Sequence, residues 1–171
     1  IPRIKRLVTK ASLQSVTLSP DQIRLGIDSA FQVAMAATAR GEVPVGASVW
    51  HPDRGVIASA SNRVEELNDA TAHAEVLAIR AASSTLGSWR LNDCALFVTL
   101  EPCTMCIGAI RNARVGALVF GAADPRAGAA GSLFDLALDE RLGSTPRVIA
   151  NVDAERCAEL LSEFFRSLRH S

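Results

Sequence analysis

Three observations predict an α/β fold in which helices sandwich one sheet. Apolar residues recur at helical spacing near both ends of the chain. Two continuous apolar runs, Cys94 to Leu100 and Val115 to Phe120, have the composition of strands buried on both faces. Segments of helical pattern separate these runs, as when helices cross over between neighbouring strands.

The elements follow in order. Ser19-Pro20-Asp21-Gln22 opens the first helix: Ser19 caps it, Pro20 suits its first position, and Gln22 completes a capping box. Ile23, Ile27, Ala30, Phe31, Ala34 and Thr38 form its apolar stripe, which stops near Gly41. Val43 to Trp50 reads as a strand, His51 to Gly55 as a turn, and Val56 to Ala58 as the returning strand of a hairpin. Asn62 to Asp69 is a polar loop. Thr71 opens a second helix that fades at Ser83-Ser84, and Pro102 opens a third that reaches Asn112. The Gly/Ala-rich stretch from Gly121 to Gly131 is a loop. Arg147 to Val152 is a last strand, and Asp153 caps a final helix bearing Leu160, Leu161, Phe164, Phe165 and Leu168.

A length of 171 residues suits one domain with a real core, and no internal repeat or linker divides it. With 49% hydrophobic and 21% charged residues, the composition excludes a disordered chain and a polybasic nucleic-acid arm. The longest apolar stretch, Val115 to Ala123, is far short of the roughly 20 residues of a membrane span. Lys+Arg and Asp+Glu balance at 18 each. Arg3, Lys5, Arg6 and Lys10 precede the first acid, Asp21, so residues 1–18 read as a basic, disordered extension and residues 19–171 as a single domain. Four cysteines without a secretory signal suit a reducing, cytoplasmic setting, with Cys94 and Cys157 as core residues.

Chemistry concentrates in two helix openings, Thr71-Ala72-His73-Ala74-Glu75 and Glu101-Pro102-Cys103-Thr104-Met105-Cys106. Both helices can begin at one end of the sheet, where α/β folds bind ligands. Two thiols in the first turn of a helix meet its positive end, which favours the thiolate that binds metal. One histidine and two thiolates make three zinc ligands, and a fourth position left for water is the pattern of a catalytic site. Zinc lowers the pKa of such a water from 15.7 to about 7, and Glu75 is the carboxylate at hand to move protons. One step stays open: residues two apart on a helix do not share a face, so spacing alone does not bring His73 and Glu75 together. Taken alone, Cys-x-x-Cys also fits a redox pair or half of a structural zinc site.

The joint pattern, His-x-Glu followed by Pro-Cys-x-x-Cys, is the signature of zinc-dependent nucleobase deaminases, the tRNA enzymes among them. The chain resembles the bacterial tRNA-specific adenosine deaminases from about Ser19 to Arg169. The likeness is carried also by Glu42-Val43-Pro44-Val45-Gly46, Asn62-Arg63, Gly128-Ala129-Ala130-Gly131-Ser132 and Ser162-Glu163-Phe164-Phe165-Arg166. The resemblance implies a three-layer α/β/α sandwich around one mixed five-stranded sheet, the cytidine deaminase-like fold. It implies one zinc per chain, held by His73, Cys103 and Cys106, with Glu75 as proton shuttle. It implies a homodimer that converts adenosine to inosine at the anticodon wobble position of an arginine tRNA. Ala74 (through its N–H), Asn62, Asp124 and Phe165 match substrate-binding positions, although Phe165 equally suits the core. Arg126, Arg166 and Arg169 are candidate phosphate contacts. Arg126-Ala127 departs from the Lys-Thr of many relatives, a change that bears on RNA grip and not on the chemistry.

Two other readings share these motifs: a deaminase of free guanine, cytosine or a nucleoside, and a noncatalytic zinc-bearing RNA-binding subunit. The Gly-Ala-Ala-Gly-Ser loop and the Phe-Phe-Arg helix weigh against the first, and the presence of Glu75 weighs against the second. For a neutral chain to hold RNA, basic residues should gather at the catalytic mouth.

Overall fold

The computed structural model of the chain describes residues 16–169. Five strands, β1 (Gly46–His51), β2 (Gly55–Ser61), β3 (Ala95–Leu100), β4 (Ala117–Ala122) and β5 (Arg147–Ile149), form one sheet in the order β2-β1-β3-β4-β5. The hairpin partner β2 and the neighbour β3 both run antiparallel to β1, whereas β3, β4 and β5 are parallel. The sheet is therefore mixed.

Pleating divides the strand residues between two cores. Leu96, Val98, Leu118 and Phe120 face α3 (Ala74–Leu86) and α4 (Thr104–Asn112), which contribute Ala78, Ile79, Ala82, Ile107 and Ile110. Ala95, Phe97, Ala117 and Val119 face α1 (Pro20–Thr38), which contributes Ile27 and Ala30. The last helix, α5 (Ala154–Leu168), places Cys157 with Phe31 of α1 on this same side. The result is the expected three-layer sandwich. Its first helix begins with the predicted capping box, in which the Gln22 N–H donates to Ser19 Oγ at 3.2 Å and the Ser19 N–H to Gln22 Oε1 at 2.8 Å. Close approach of α1 to β1 needs a glycine, because a Cβ on Gly46 would lie 2.0 Å from the Ala30 carbonyl oxygen.

Several boundaries differ from the sequence expectations. The first ladder starts at Gly46 and not at Val43, since Pro44 has no N–H to donate. The polar loop contains a one-turn helix, α2 (Val64–Leu67), closed by Asn68 in the left-handed region at φ 49°. The last strand ends at Ile149, because Asn151 and Asp153 take positive φ angles of 62° and 53°. Asp153 does precede α5, yet its carboxylate pairs with Arg156 at 3.0 Å instead of capping the helix. Val16 and Leu18, placed by the sequence in the basic extension, are buried with Ile27 and Phe97, so the packed chain reaches back at least to Val16. The extension's four basic residues and His170 lie outside the described residues. No helix among the described residues is long and apolar enough to cross a membrane.

Candidate active site

Both chemistry-bearing motifs stand at helix beginnings, but two or three residues later than expected. The second helix starts at Ala74 with His73 as its N-cap, and the third starts at Thr104 with Cys103 as its N-cap. Each N-cap is in extended backbone (φ −70°, ψ 150° for His73; φ −74°, ψ 176° for Cys103), and neither side chain makes a capping hydrogen bond. This geometry answers the question that spacing left open. His73 is outside the helix, so its imidazole is not bound to the helical rotation that would turn it away from Glu75. Cys103 at the N-cap and Cys106 at the third helical position stand in the relation of a capping box, where side chains meet across the first turn.

His73 Nδ1 lies 3.7 Å from Cys103 Sγ and 3.5 Å from Cys106 Sγ, and the three donor atoms are within 4.8 Å of one another. Tetrahedral zinc with bonds of about 2.05 Å to nitrogen and 2.3 Å to sulfur spaces such donors about 3.6–3.8 Å apart. The donor set therefore fits zinc in kind and in spacing. Hydrogen bonds from Cys106 and His73 pull the Cys103 thiol down to about 3. The bond to Cys103 pushes the Cys106 thiol up, with burial and the Glu75 charge acting the same way. The same contact with Cys103 raises His73. The two thiols are thus pushed in opposite directions by each other's proximity, a conflict that a divalent cation bound to both removes.

Glu75 is 3% exposed, and burial pushes its carboxyl above the usual range against the pull of its own backbone N–H and of His73. That environment suits a group that both takes and returns a proton near neutrality. Ala74 is buried at the first helical position, where its N–H has no intrahelical acceptor.

A pocket of about 620 Å³ opens over these residues, lined by His73, Ala74, Glu75 and Cys103 together with Asn62, Asp124, Leu100, Phe164 and Phe165. Asn62 is buried, and its Nδ2 donates to Glu42 Oε2 at 2.9 Å. Asp124 is half-buried, and its Oδ1 accepts the N–H groups of Arg126 (2.9 Å) and Ala127 (3.3 Å). Phe164 is buried, whereas Phe165 is 45% exposed and stands edge-on to it with ring centroids 5.4 Å apart. Phe165 is thus a wall of the pocket and not core.

The arginines are less convergent. Arg126 and Arg169 are exposed, and Arg166 lines a separate groove on α5 among Glu155, Glu159 and Glu163. The pocket lining itself does not carry the expected basic residues. The lining contains Glu42, Glu65, Glu75, Glu101 and Asp124 and no arginine or lysine. Three of these carboxylates, Glu42, Glu101 and Asp124, accept loop N–H groups, which accounts for their place in the lining.

The model of the cytidine and deoxycytidylate deaminase zinc-binding region matches residues 21–122, the span that holds all three metal-ligand candidates and Glu75. The chain belongs to this deaminase family. The tRNA-specific adenosine deaminase of Bacillus subtilis (strain 168) is 44% identical over 148 residues, covering 86% of this chain and 91% of that protein. The tRNA(Ile)-lysidine synthase of Deinococcus radiodurans is 43% identical over 156 residues, 91% of this chain, but the deaminase chain spans only 27% of that relative. A structure from a study of A-to-I editing by tRNA:A34 deaminases at the wobble position of transfer RNA has a TM-score of 0.75 at 42% identity, covering 79% of this chain and 97% of the other.

In this deaminase two buried carboxylates shape the pocket that the motifs alone do not reveal. Glu42 anchors Asn62 and accepts the Glu66 N–H at 2.8 Å. Glu101 accepts the N–H groups of Asp124, Ala130 and Ser132 at 2.9–3.0 Å and also the Ser132 hydroxyl. Glu101 directly precedes Pro102-Cys103, so it ties the Gly-Ala-Ala-Gly-Ser loop to the start of the metal-binding helix.

Proposed function

We propose that the protein hydrolytically deaminates adenosine to inosine at the wobble position of the anticodon of an arginine tRNA. The observation that carries this reading is a buried Glu75 lining one pocket with His73 and Cys103, two members of the zinc-suited set that Cys106 completes. Those three residues would hold the zinc, which when bound would supply activation of a water at neutral pH. Glu75 takes a proton from the attacking water and passes it to the adenine ring as the water oxygen bonds to C6. Glu75 then delivers the remaining hydroxyl proton to the amino group, the C6–N bond breaks, and ammonia leaves. The Ala74 N–H and Asn62 hold the extruded nucleotide. Asp124 borders its neighbours, Phe165 stacks on the loop, and Arg126 and Arg169 meet phosphates.

Similarity to tRNA-specific adenosine deaminases along nearly the whole length of the Bacillus subtilis relative supports tRNA as the substrate. Exposed Leu133, Phe134 and Leu138, in the segment after the glycine-rich loop, support a homodimer. A tRNA substrate goes with a cytoplasmic setting. Incubation with the arginine tRNA transcript, followed by sequencing, should read inosine at the wobble position. Absence of inosine together with ammonia release from free guanine or cytosine would overturn the proposal.

A further inference from the structure

Asn62 and Glu42 come from different segments, and both line the pocket. Glu42 is fully buried, and each of its carboxylate oxygens has a donor: the Glu66 N–H at Oε1 and the Asn62 Nδ2 at Oε2. A main-chain N–H cannot reverse its role, so Oε1 is fixed as an acceptor. A carboxylate accepts at both oxygens, which fixes the orientation of the Asn62 carboxamide as well. The backbone of Asn62 is pinned too, its N–H donating to the Val45 carbonyl at 2.9 Å. With Nδ2 committed to Glu42, Oδ1 has no hydrogen-bond partner among the described residues.

We infer that Glu42 is a positioning residue that sets the hydrogen-bond polarity of Asn62, so that the pocket presents a carbonyl acceptor there and selects a substrate bearing a donor. This rests on the proposed nucleotide substrate, in which a ribose hydroxyl is a donor of the required kind. A site built around an acceptor discriminates against an analogue lacking the donor, because a bound analogue would cover the acceptor and leave it unpaired.

An exchange of the two functional groups tests it. Glu42→Gln leaves one acceptor oxygen for two donors, so either Asn62 turns over or the Glu66 N–H loses its partner. Asn62→Asp sets two carboxylates against each other. When both substitutions are combined, the carboxamide now at position 42 accepts from the Glu66 N–H and donates to the carboxylate now at position 62. The second oxygen of that carboxylate is again an acceptor, and the net charge is unchanged. Each single variant should lose about 10- to 100-fold in kcat/KM on the tRNA, and the double variant should recover to within about fivefold of wild type. Zinc content and melting temperature, measured alongside, separate folding losses from positioning, because a merely structural Glu42 would lower melting temperature and zinc content in step with kcat/KM in the single variants, whereas a positioning residue lowers kcat/KM with both retained. A double variant no better than the worse single, or single variants with wild-type activity, would overturn the assignment. Absence of inosine with the wild-type protein would overturn the proposed function first, and the assignment with it.

Discussion

The carboxylate of Glu101 accepts the backbone N–H of Asp124 at 3.0 Å, which joins the residue before the two-cysteine motif to the loop across the pocket. Gly128 passes over the same carboxylate so closely that a Cβ would lie 2.4 Å from Glu101 Cδ and 2.5 Å from the Asp124 carbonyl oxygen. Loop and helix start are therefore one unit. Glu101→Ala should strand several N–H donors and cost about 3 kcal/mol or more, read from the midpoint of urea unfolding. Gly128→Ala should lower activity on tRNA while zinc remains bound, since its clash falls on the loop. Wild-type activity in Gly128→Ala would show that the loop tolerates displacement.

Glu75→Ala should retain one zinc per chain and lose at least about 10³-fold in kcat, because the proposed mechanism assigns each proton transfer to this one carboxylate. Elemental analysis and inosine formation read the two effects separately. Chelation should abolish turnover, and added zinc should restore it. Cys103→Ala should lose both metal and activity.

Burial raises the Cys94 and Cys157 thiols to about 11 from an ordinary 9.0, with Asp93 and Asp153 respectively adding to the effect. The unfolded chain ionises these thiols first, so the folded state is unpenalised below about pH 8.5 and loses stability as pH rises toward 11. The limiting slope is about 1.4 kcal/mol per pH unit for each thiol. The chain has no tyrosine and two lysines, Lys5 and Lys10, so few other groups titrate in that window. A Cys94→Ala/Cys157→Ala variant should flatten the alkaline limb of stability against pH. An unchanged slope would assign it to other groups.

Phe165→Ala should raise KM for the tRNA roughly tenfold, the loss of one base-stacking contact of about 1–3 kcal/mol. Its melting temperature should move little, because the ring is 45% exposed. A large fall in melting temperature with an unchanged KM would return Phe165 to a structural role.

Much of this site was legible in the sequence because its chemistry is carried by rare side chains at short spacing. His73, Glu75, Cys103 and Cys106 point to a metal with a carboxylate beside it once the two motifs are read jointly, and the two apolar runs declare the central strands. Glu42 and Glu101 were not legible as anchors, since several of their partners are main-chain N–H groups 23 to 31 residues away, which leave no side-chain pattern. The one-turn α2 escaped for a related reason: four residues without a buried side chain have no period to detect. Helix boundaries mattered most at His73. A displacement of two or three residues turned an apparent conflict of helical faces into an N-cap geometry.

The position of His73 and Cys103 immediately before their helices makes the centre modular. It depends on where two helices begin and on one turn of the second, and not on how far either helix continues. Variation in length at the far ends, such as the Gly87 terminus of α3, leaves the donor atoms where they are. An insertion of one residue ahead of His73 or Cys103 moves a ligand out of reach. Such a centre can be transplanted to another sheet that launches two helices side by side, provided that the two launching residues are left free of capping duty.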